Sequence, residues 1–554
     1  MPFRPSLLAA LIGATFSLAT AASHAAGPIE SVTKAWSFDH FTAGGSVPTG
    51  TGRSAEIVAF DAATSNLWVL GGNGLDVLDL GGNLLKSFET ASLFGSPNSM
   101  AIRDGIAAVA FNNPTSRGGD GTVHFFNTST FLTAANLGAA SLGSVAVGNV
   151  PDMITWTNDG RLLVANEGER FVVSGVTTNP VGSVSIVDFN AAAPGTSAVT
   201  TVGFTSFDGQ ETALRAAGVR IQADSSASVA LEPEYIAIAP DGKTAKVVLQ
   251  EANAIATLDL QTRSFTNIVG LGTKDFNVTG VTMDPSDRDG GVTFRNVPVK
   301  SLYQPDGVAS FTANGKTYYA MANEGDAFTD DADMRRLSSS AIVLDPTVFP
   351  NAATLKQEAN LGRLNVSLIG ADGLGAGPTG FTEIIGIGGR SMSIRDENGA
   401  LVYDSGDLLD IAANDIGLYA DGRSDDKGVE PEGIALYTVA GRTLAFVGLE
   451  RTTRSAVAVF DITDPANATF LQMIVGDAVP GLSPEVRPEG LTVFEHDGKL
   501  FLAVANESIE DVPALNGSHR TALFEITPVP EPSTYALMGA GLLAVGFLAR
   551  RRRG

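Results

Sequence analysis

Three observations predict an all-β chain. Glycine is abundant at 62 residues, charged residues make up only 17% of the sequence, and apolar runs are short and broken by turn residues, as in folds of many short strands. A hairpin-like stretch, clearest in "QPDGVASFTANGKTYYAMANEGD" (304–326), recurs five times. Several copies are followed by another strand-like run. Three or four strands per unit, repeated around an axis, make propeller blades. The expected architecture is a β-propeller of about seven blades with long insertions between strands.

The five clear units run from Asp152 to Glu167, Glu234 to Glu251, Asp306 to Glu324, Glu432 to Glu450 and Glu489 to Glu507. In each, the midpoint between the two acids falls on or beside a glycine: Gly160, Gly242, Gly315, Gly441 or Gly498. Four of these glycines follow Asp or Asn, the dipeptides favoured where both turn residues need positive φ. Each unit therefore reads as a β-hairpin whose two acids emerge together at the open end. Pro151, Pro233, Pro305, Pro431 and Pro488 stand just before the first strand, where no ladder donor is lost. Third strands are read at "AIATLDL" (254–260), "SAVAVFDI" (455–462) and "TALFEI" (521–526). Weaker units are "AEIVAFDAATSNLWVLGG", "NSMAIRDGIAAVAFNN" (98–113) and "RSMSIRDENGALVYDSGD" (390–407). Insertions are expected around 177–228, 326–363 and 408–428.

The two ends carry addresses. Arg4, an apolar run from Leu7 to about Ala22, and Ser23-His24-Ala25 form a secretory signal peptide over 1–25. Propeller is expected over 26–527. Residues 528–554 combine Pro530-Glu531-Pro532, an uncharged run from Tyr535 to Ala549, and Arg550, Arg551, Arg552 and Arg553. As a helix that run covers about 22 Å, shorter than a stable membrane span prefers, and the arginines would stay on the cytoplasmic side. The pattern suits a short anchor helix engaging the membrane. It closely resembles the PEP-CTERM sorting signal, which implies processing by an exosortase, a Gram-negative, exopolysaccharide-making host and a surface-destined protein.

Composition excludes several function classes. With 36 Lys+Arg against 60 Asp+Glu, a formal charge of −24 repels nucleic acid and anionic lipid, so nucleic acid is not an expected partner. The absence of cysteine excludes disulfides, thiolate nucleophiles and Cys-ligated metal. Gly-Lys-Thr occurs at Gly242 and Gly315, but Ala237 and Ser310 replace the upstream glycine of a phosphate-binding loop. No Gly-x-Ser-x-Gly elbow occurs. His40, His124, His496 and His519 read as scattered and unpaired.

"LEPEYIAIAPDGKTAKVVLQEANAIATLDL", "VPVKSLYQPDGVASF", "GGRSMSIRDENGALVYDSGD" and "EPEGIALYTVAGRTLAFVGLE" resemble the choice-of-anchor I family, secreted bacterial propellers with differing surface-anchoring tails. The resemblance implies the propeller and the anchor but little biochemistry. Members often carry an acidic loop before the "GGRS" motif that suggests calcium. Here "IGADGLGAGPTG" (369–380) keeps only Asp372, so no calcium site is carried over to it.

The recurring acids remain: Asp152, Glu167, Glu234, Glu251, Asp306, Glu324, Glu432, Glu450, Glu489 and Glu507. Converging from several strands, they would suit Ca²⁺ or Mg²⁺, calcium taking six to eight oxygen ligands. Alternatively, each caps its own hairpin by accepting backbone N–H bonds. Asp326, Asp330, Asp331 and Asp333 form a second acidic cluster, read as a solvated loop. Two functions are open. One is a binding or scaffold protein of the cell envelope or exopolysaccharide matrix, with polysaccharide or a surface protein as partner. The other is a calcium-dependent phosphoesterase like the phytase-like or alkaline phosphatase propellers, with Arg335, Arg336, Arg390, Arg451 and Arg454 as candidate phosphate holders. Arginines converging on the acids would favour the enzyme.

Overall fold

The computed structural model describes residues 28–40, 54–72, 74–173, 176–328, 333–477, 484–507 and 519–529. The expected signal peptide, the residues from Pro530 to Arg553, and Asp330 and Asp331 lie outside them. Among the described residues, no helix is long and apolar enough to cross a membrane.

Seven four-stranded antiparallel sheets form the blades. Their innermost strands are Ile57–Asp61, Pro97–Arg103, Pro151–Trp156, Ile236–Ile238, Val308–Ala313, Pro431–Val439 and Pro488–His496. Each packs against the next, and the last packs against the first, so the ring closes. Second strands such as Asn66–Gly71, Leu162–Asn166 and Lys499–Asn506 are almost wholly buried. They lie between neighbouring blades, which is why they read as continuous apolar runs rather than alternating ones.

The ring is locked by a strand the sequence reading did not assign. Ile29–Asp39 pairs antiparallel with Arg520–Pro528 as the outer strand of blade 7. Beside it, His40 Nδ1 lies 2.7 Å from Asp76 Oδ2 and Nε2 lies 2.8 Å from Thr521 Oγ1, while the His40 amide donates to the His519 carbonyl. Two of the four histidines are thus neighbours and one is firmly paired, contrary to their scattered reading. All three members of the Asp76–His40–Thr521 relay are buried, so it fastens the closing strand.

Two blade assignments change. The hairpins 306–324 and 390–407 are the two halves of blade 5, whose second strand Lys316–Asn323 pairs with Ser391–Asp396 across the intervening insertion. The expected insertion 177–228 contains the third and fourth strands of blade 3, Ser183–Asp188 and Ala198–Gly203. Both errors arise because a strand distant in sequence can complete a ladder whose turn carries no local signal.

Two connections, 271–307 and 324–390, gather into a module with its own apolar core, including Phe276, Val299, Leu344, Leu364 and Phe381, and a third, 405–430, joins it by hydrogen bonds such as that from the Asn365 amide to the Asp425 carbonyl. Lys300–Leu302 pairs parallel to Ile385–Gly386 and ties two of them together. Asp333 belongs to this module and not to a solvated loop. Its carboxylate is buried, pairs with Arg220 and accepts from Ser367 Oγ at 2.8 Å.

Candidate functional site

The first hairpins of blades 3, 6 and 7 bring their acids to the open end by a shared local device. In blades 3, 6 and 7, Pro151 pairs with Asn166, Pro431 with Leu449 and Pro488 with Asn506, and each ladder shifts register directly afterwards. Asp152, Glu432 and Glu489 sit inside these shifts. A bulge there bends the strand and re-aims its side chains. The residue before the proline is left-handed at Val150 (φ 45°), Gln304 (41°), Glu430 (50°) and Arg487 (55°), a conformation that β-branched Val150 adopts only under constraint.

The glycine after the acid explains the recurring Pro-Glu-Gly and Pro-Asp-Gly. A Cβ on Gly307 would lie 2.6 Å from the carbonyl oxygen of Glu432, one on Gly433 2.2 Å from that of Glu489, and one on Gly490 2.3 Å from that of Glu56. Each glycine lets the next blade's acid-bearing backbone approach. The same packing identifies Glu56 as the blade 1 counterpart. Sequence reasoning missed it because no proline precedes it.

These positions surround the central channel. A cavity of about 370 Å³ there is lined by Asn98, Asp152, Tyr235, Asp306, Glu432 and Glu489, among others. Burial and then neighbouring acids push the carboxyls of Asp306, Glu432 and Glu489 far above the ordinary range. Burial, with Glu169 behind it, raises Asp152 to about 6. Glu234, buried behind the lining, is raised strongly by burial and by Glu251. Among the described residues, no backbone N–H of another residue donates to any of the ten predicted side chains. Glu251 accepts a bond from its own backbone N–H, as the capping alternative expects.

Of the remaining acids, Glu167, Glu251, Glu324 and Glu450 belong to two triads. Carboxylate oxygens of Glu167, Glu232 and Glu251 lie within 4.8 Å of one another, as do those of Glu324, Glu430 and Glu450. The triads have the same construction, two blades apart. Each joins the second-strand end of one blade (Glu167, Glu324) to both glutamates flanking the next blade's hairpin (Glu232 and Glu251, Glu430 and Glu450). Glu232 and Glu430 were missed in the sequence, although the repeated Glu-Pro-Glu at 232–234 and 430–432 was the available signal.

The two differ in charge compensation. Lys427 Nζ lies 2.6 Å from Glu324 Oε1 and 3.0 Å from Glu430 Oε2. Arg423 pairs with Glu430, and Arg451 Nη2 lies 3.0 Å from Glu450 Oε1. Arg487 Nε lies 2.7 Å from the same oxygen, and its Nη1 is 3.0 Å from Glu507. Burial pushes Glu430 up, but Lys427, Arg423 and Arg451 outweigh it and hold this carboxyl below its usual value. Burial raises Glu507 to about 7 despite Arg487. In the other triad, burial and Asp326 raise Glu251 to about 8, and burial with surrounding acids raises Glu167 and Glu232 strongly.

Of the five candidate arginines, Arg451 reaches the acids. Arg336 pairs with Asp425 at 2.8 Å and Arg335 donates to the Met334 carbonyl. Arg390 is buried and donates to the carbonyls of Ser424 and Asp426. Arg454 accepts from Thr452 through its own carbonyl.

The chain belongs to the choice-of-anchor I family, whose domain it matches over residues 56–465. Residues 528–553 match the PEP-CTERM protein-sorting motif, which implies export, a place at the cell surface or envelope, and processing by an exosortase. A mesenchyme-specific cell surface glycoprotein of Strongylocentrotus purpuratus is 28% identical over 284 residues, covering 43% of this chain. The chain matches 36% of that protein's length. Among solved structures, hydrazine synthase of Kuenenia stuttgartiensis shares 10% identity over 87% of this chain and 96% of its own, with a TM-score of 0.43. The WD40 domain of Neurospora crassa Pan2 shares 8% identity over 90% of this chain and 97% of its own, also with a TM-score of 0.43.

Proposed function

We propose that this surface-sorted propeller is a non-catalytic binding protein that holds a matrix polysaccharide at its acid-lined channel. One observation carries this reading. The basic groups that pair with these acids, Lys427, Arg423, Arg451 and Arg487, are all engaged with buried carboxylates, so none of these four is left uncommitted for a phosphate. Carboxyls raised by burial and mutual repulsion both donate to and accept from sugar hydroxyls, and Tyr235 adds an aromatic wall to the cavity.

The test is titration of the full chain with neutral and uronic-acid-containing exopolysaccharides, comparing the native protein with Asp306→Asn and Glu432→Gln. Saturable binding weakened by both substitutions is the expected result. Native-level binding in both variants, or none to any polysaccharide, would remove the proposal.

The convergence of Arg451 and Arg487 on the acids favours a second reading, a calcium-dependent phosphoesterase. Turnover of p-nitrophenyl phosphate or its bis-ester in the presence of calcium, abolished by Glu450→Gln, would establish it in place of the first.

A further inference from the structure

We propose that Glu167, Glu232 and Glu251 form a binding site for a divalent cation of calcium's size, the place that basic side chains take in the quasi-equivalent triad of blade 6.

Counting from the equivalent glutamates, Lys427 stands three residues before Glu430, where Val229 stands before Glu232. Arg423 stands seven before, where the other triad has Ser225. Arg451 follows Glu450 directly, whereas Ala252 follows Glu251. Arg487 precedes the next blade's proline, and Gln304 occupies that place after blade 4. All four compensating cations of one triad are thus neutral residues at the matching positions of the other. Yet the three carboxylates are retained, with the same mutual approach.

A second observation points to a missing partner. Glu251 is 5% exposed, and its Oε2 has no hydrogen-bond partner. Its neighbour Glu234 is 8% exposed and also has an unpartnered Oε2. Leaving one buried charged oxygen unsatisfied costs more than a typical hydrogen bond contributes, and two side by side repel as well. The charges felt at the triad are mostly of one sign. Asp152, Glu169 and Asp326 act on it as like charges, Glu234 shares a side-chain hydrogen bond with Glu251, and the opposing groups are Arg170 and Arg220. Arg220 is itself held by Asp333 and the Gly370 carbonyl.

Ligand chemistry selects the ion. The donors are all carboxylate oxygens, which favours hard cations over zinc or copper. Calcium takes six to eight oxygens in flexible geometry, and these three carboxylates, within 4.8 Å of one another, supply part of such a set. Magnesium demands near-ideal octahedral geometry and gives up its waters reluctantly, so a buried cluster of carboxylates suits calcium better. This inference is independent of the polysaccharide reading, because the channel-lining acids named there are different residues.

The test uses the full chain, stripped with chelator and titrated calorimetrically with calcium chloride, then magnesium and manganese chloride. The native protein is expected to take up about one tight equivalent of calcium and to prefer it to magnesium. Glu232→Gln and Glu251→Gln should each weaken that binding at least about tenfold. Removing a repelling charge should leave both variants folded, with chelator-treated melting temperatures at or above the native value. Asp241→Asn, in the exposed turn of blade 4, should bind as the native chain does. Failure of all three metals to bind would overturn the site, leaving protonation to relieve the carboxylates. A tight equivalent that survives both substitutions would place the ion elsewhere and overturn it equally.

Discussion

Lys427 Nζ lies 2.6 Å from Glu324 Oε1, joining the connection before blade 6 to the end of the second strand of blade 5. Lys427 also donates to the Gly325 carbonyl at 2.6 Å. A single ammonium thus ties the accessory module to the ring and neutralises part of a buried acidic triad.

Lys427→Met should therefore be costly. Removing one partner of a buried pair leaves the other charge uncompensated, at about 3 kcal/mol when other cations remain nearby, as Arg423 and Arg451 do here. Urea unfolding in chelator should show the loss, and added calcium should restore part of it. A variant as stable as the native chain would mean that the pair contributes nothing net.

Glu432→Gln should have the opposite sign. Its carboxyl is pushed far up, first by burial and then by Glu450 and Glu489, so the charged form opposes folding. Removing that charge should raise the melting temperature in chelator at pH 8, while Glu430→Gln, whose carboxyl Lys427, Arg423 and Arg451 hold below its usual value against burial, should lower it. Equal effects of the two substitutions would contradict the distinction between compensated and uncompensated acids.

Two glycines should respond differently to alanine. Gly433→Ala places a Cβ 2.2 Å from a backbone carbonyl of the next blade and should destabilise by about 3 kcal/mol or more, since the ring must shift. Gly441 lies in a turn with open space around it and φ of 72°. Gly441→Ala should cost only the left-handed penalty of about 1–2 kcal/mol. Thermal melts of both variants test the pair.

His124 sets one pH dependence. It stacks on Phe94 with centroids 3.8 Å apart, and burial lowers its pKa to about 4. The unfolded chain takes up this proton below about pH 6.5, and the folded chain only near 4. Its stabilising effect is thus intact above pH 6.5 and is lost progressively as pH falls to 4, in total on the order of 3 kcal/mol. Native and His124→Phe chains, unfolded in urea at pH 7.5 and 4.5, should differ in pH sensitivity by about that amount. Identical pH profiles would show that His124 titrates normally.

The turn chemistry shows how far local sequence reaches. Asn314-Gly315 and Asp497-Gly498 have both residues at positive φ, as their identity predicts, and Ala440-Gly441 does so without the favoured first residue. At Asp159-Gly160 and Asp241-Gly242 only the glycine is left-handed. In the first of these, Thr157 and Arg161 bond across a longer loop, so the strand ends and not the dipeptide set the turn.

The sequence by itself determined the hairpins, their acids at the open end and the repeat of about seven blades, because strand periodicity, turn residues and strand-start prolines act over a few residues. It also carried the family resemblance and the sorting tail. Only the tertiary structure decided that Ile29–Asp39 closes blade 7, that 306–324 and 390–407 share a blade, and that Glu232 and Glu430 complete triads. It alone decided which acids meet a cation, since Lys427 and Glu324 are 103 residues apart and meet only when the ring is assembled. Electrostatic compensation acts through space between blades, where a short-range pattern in the chain has no record of it.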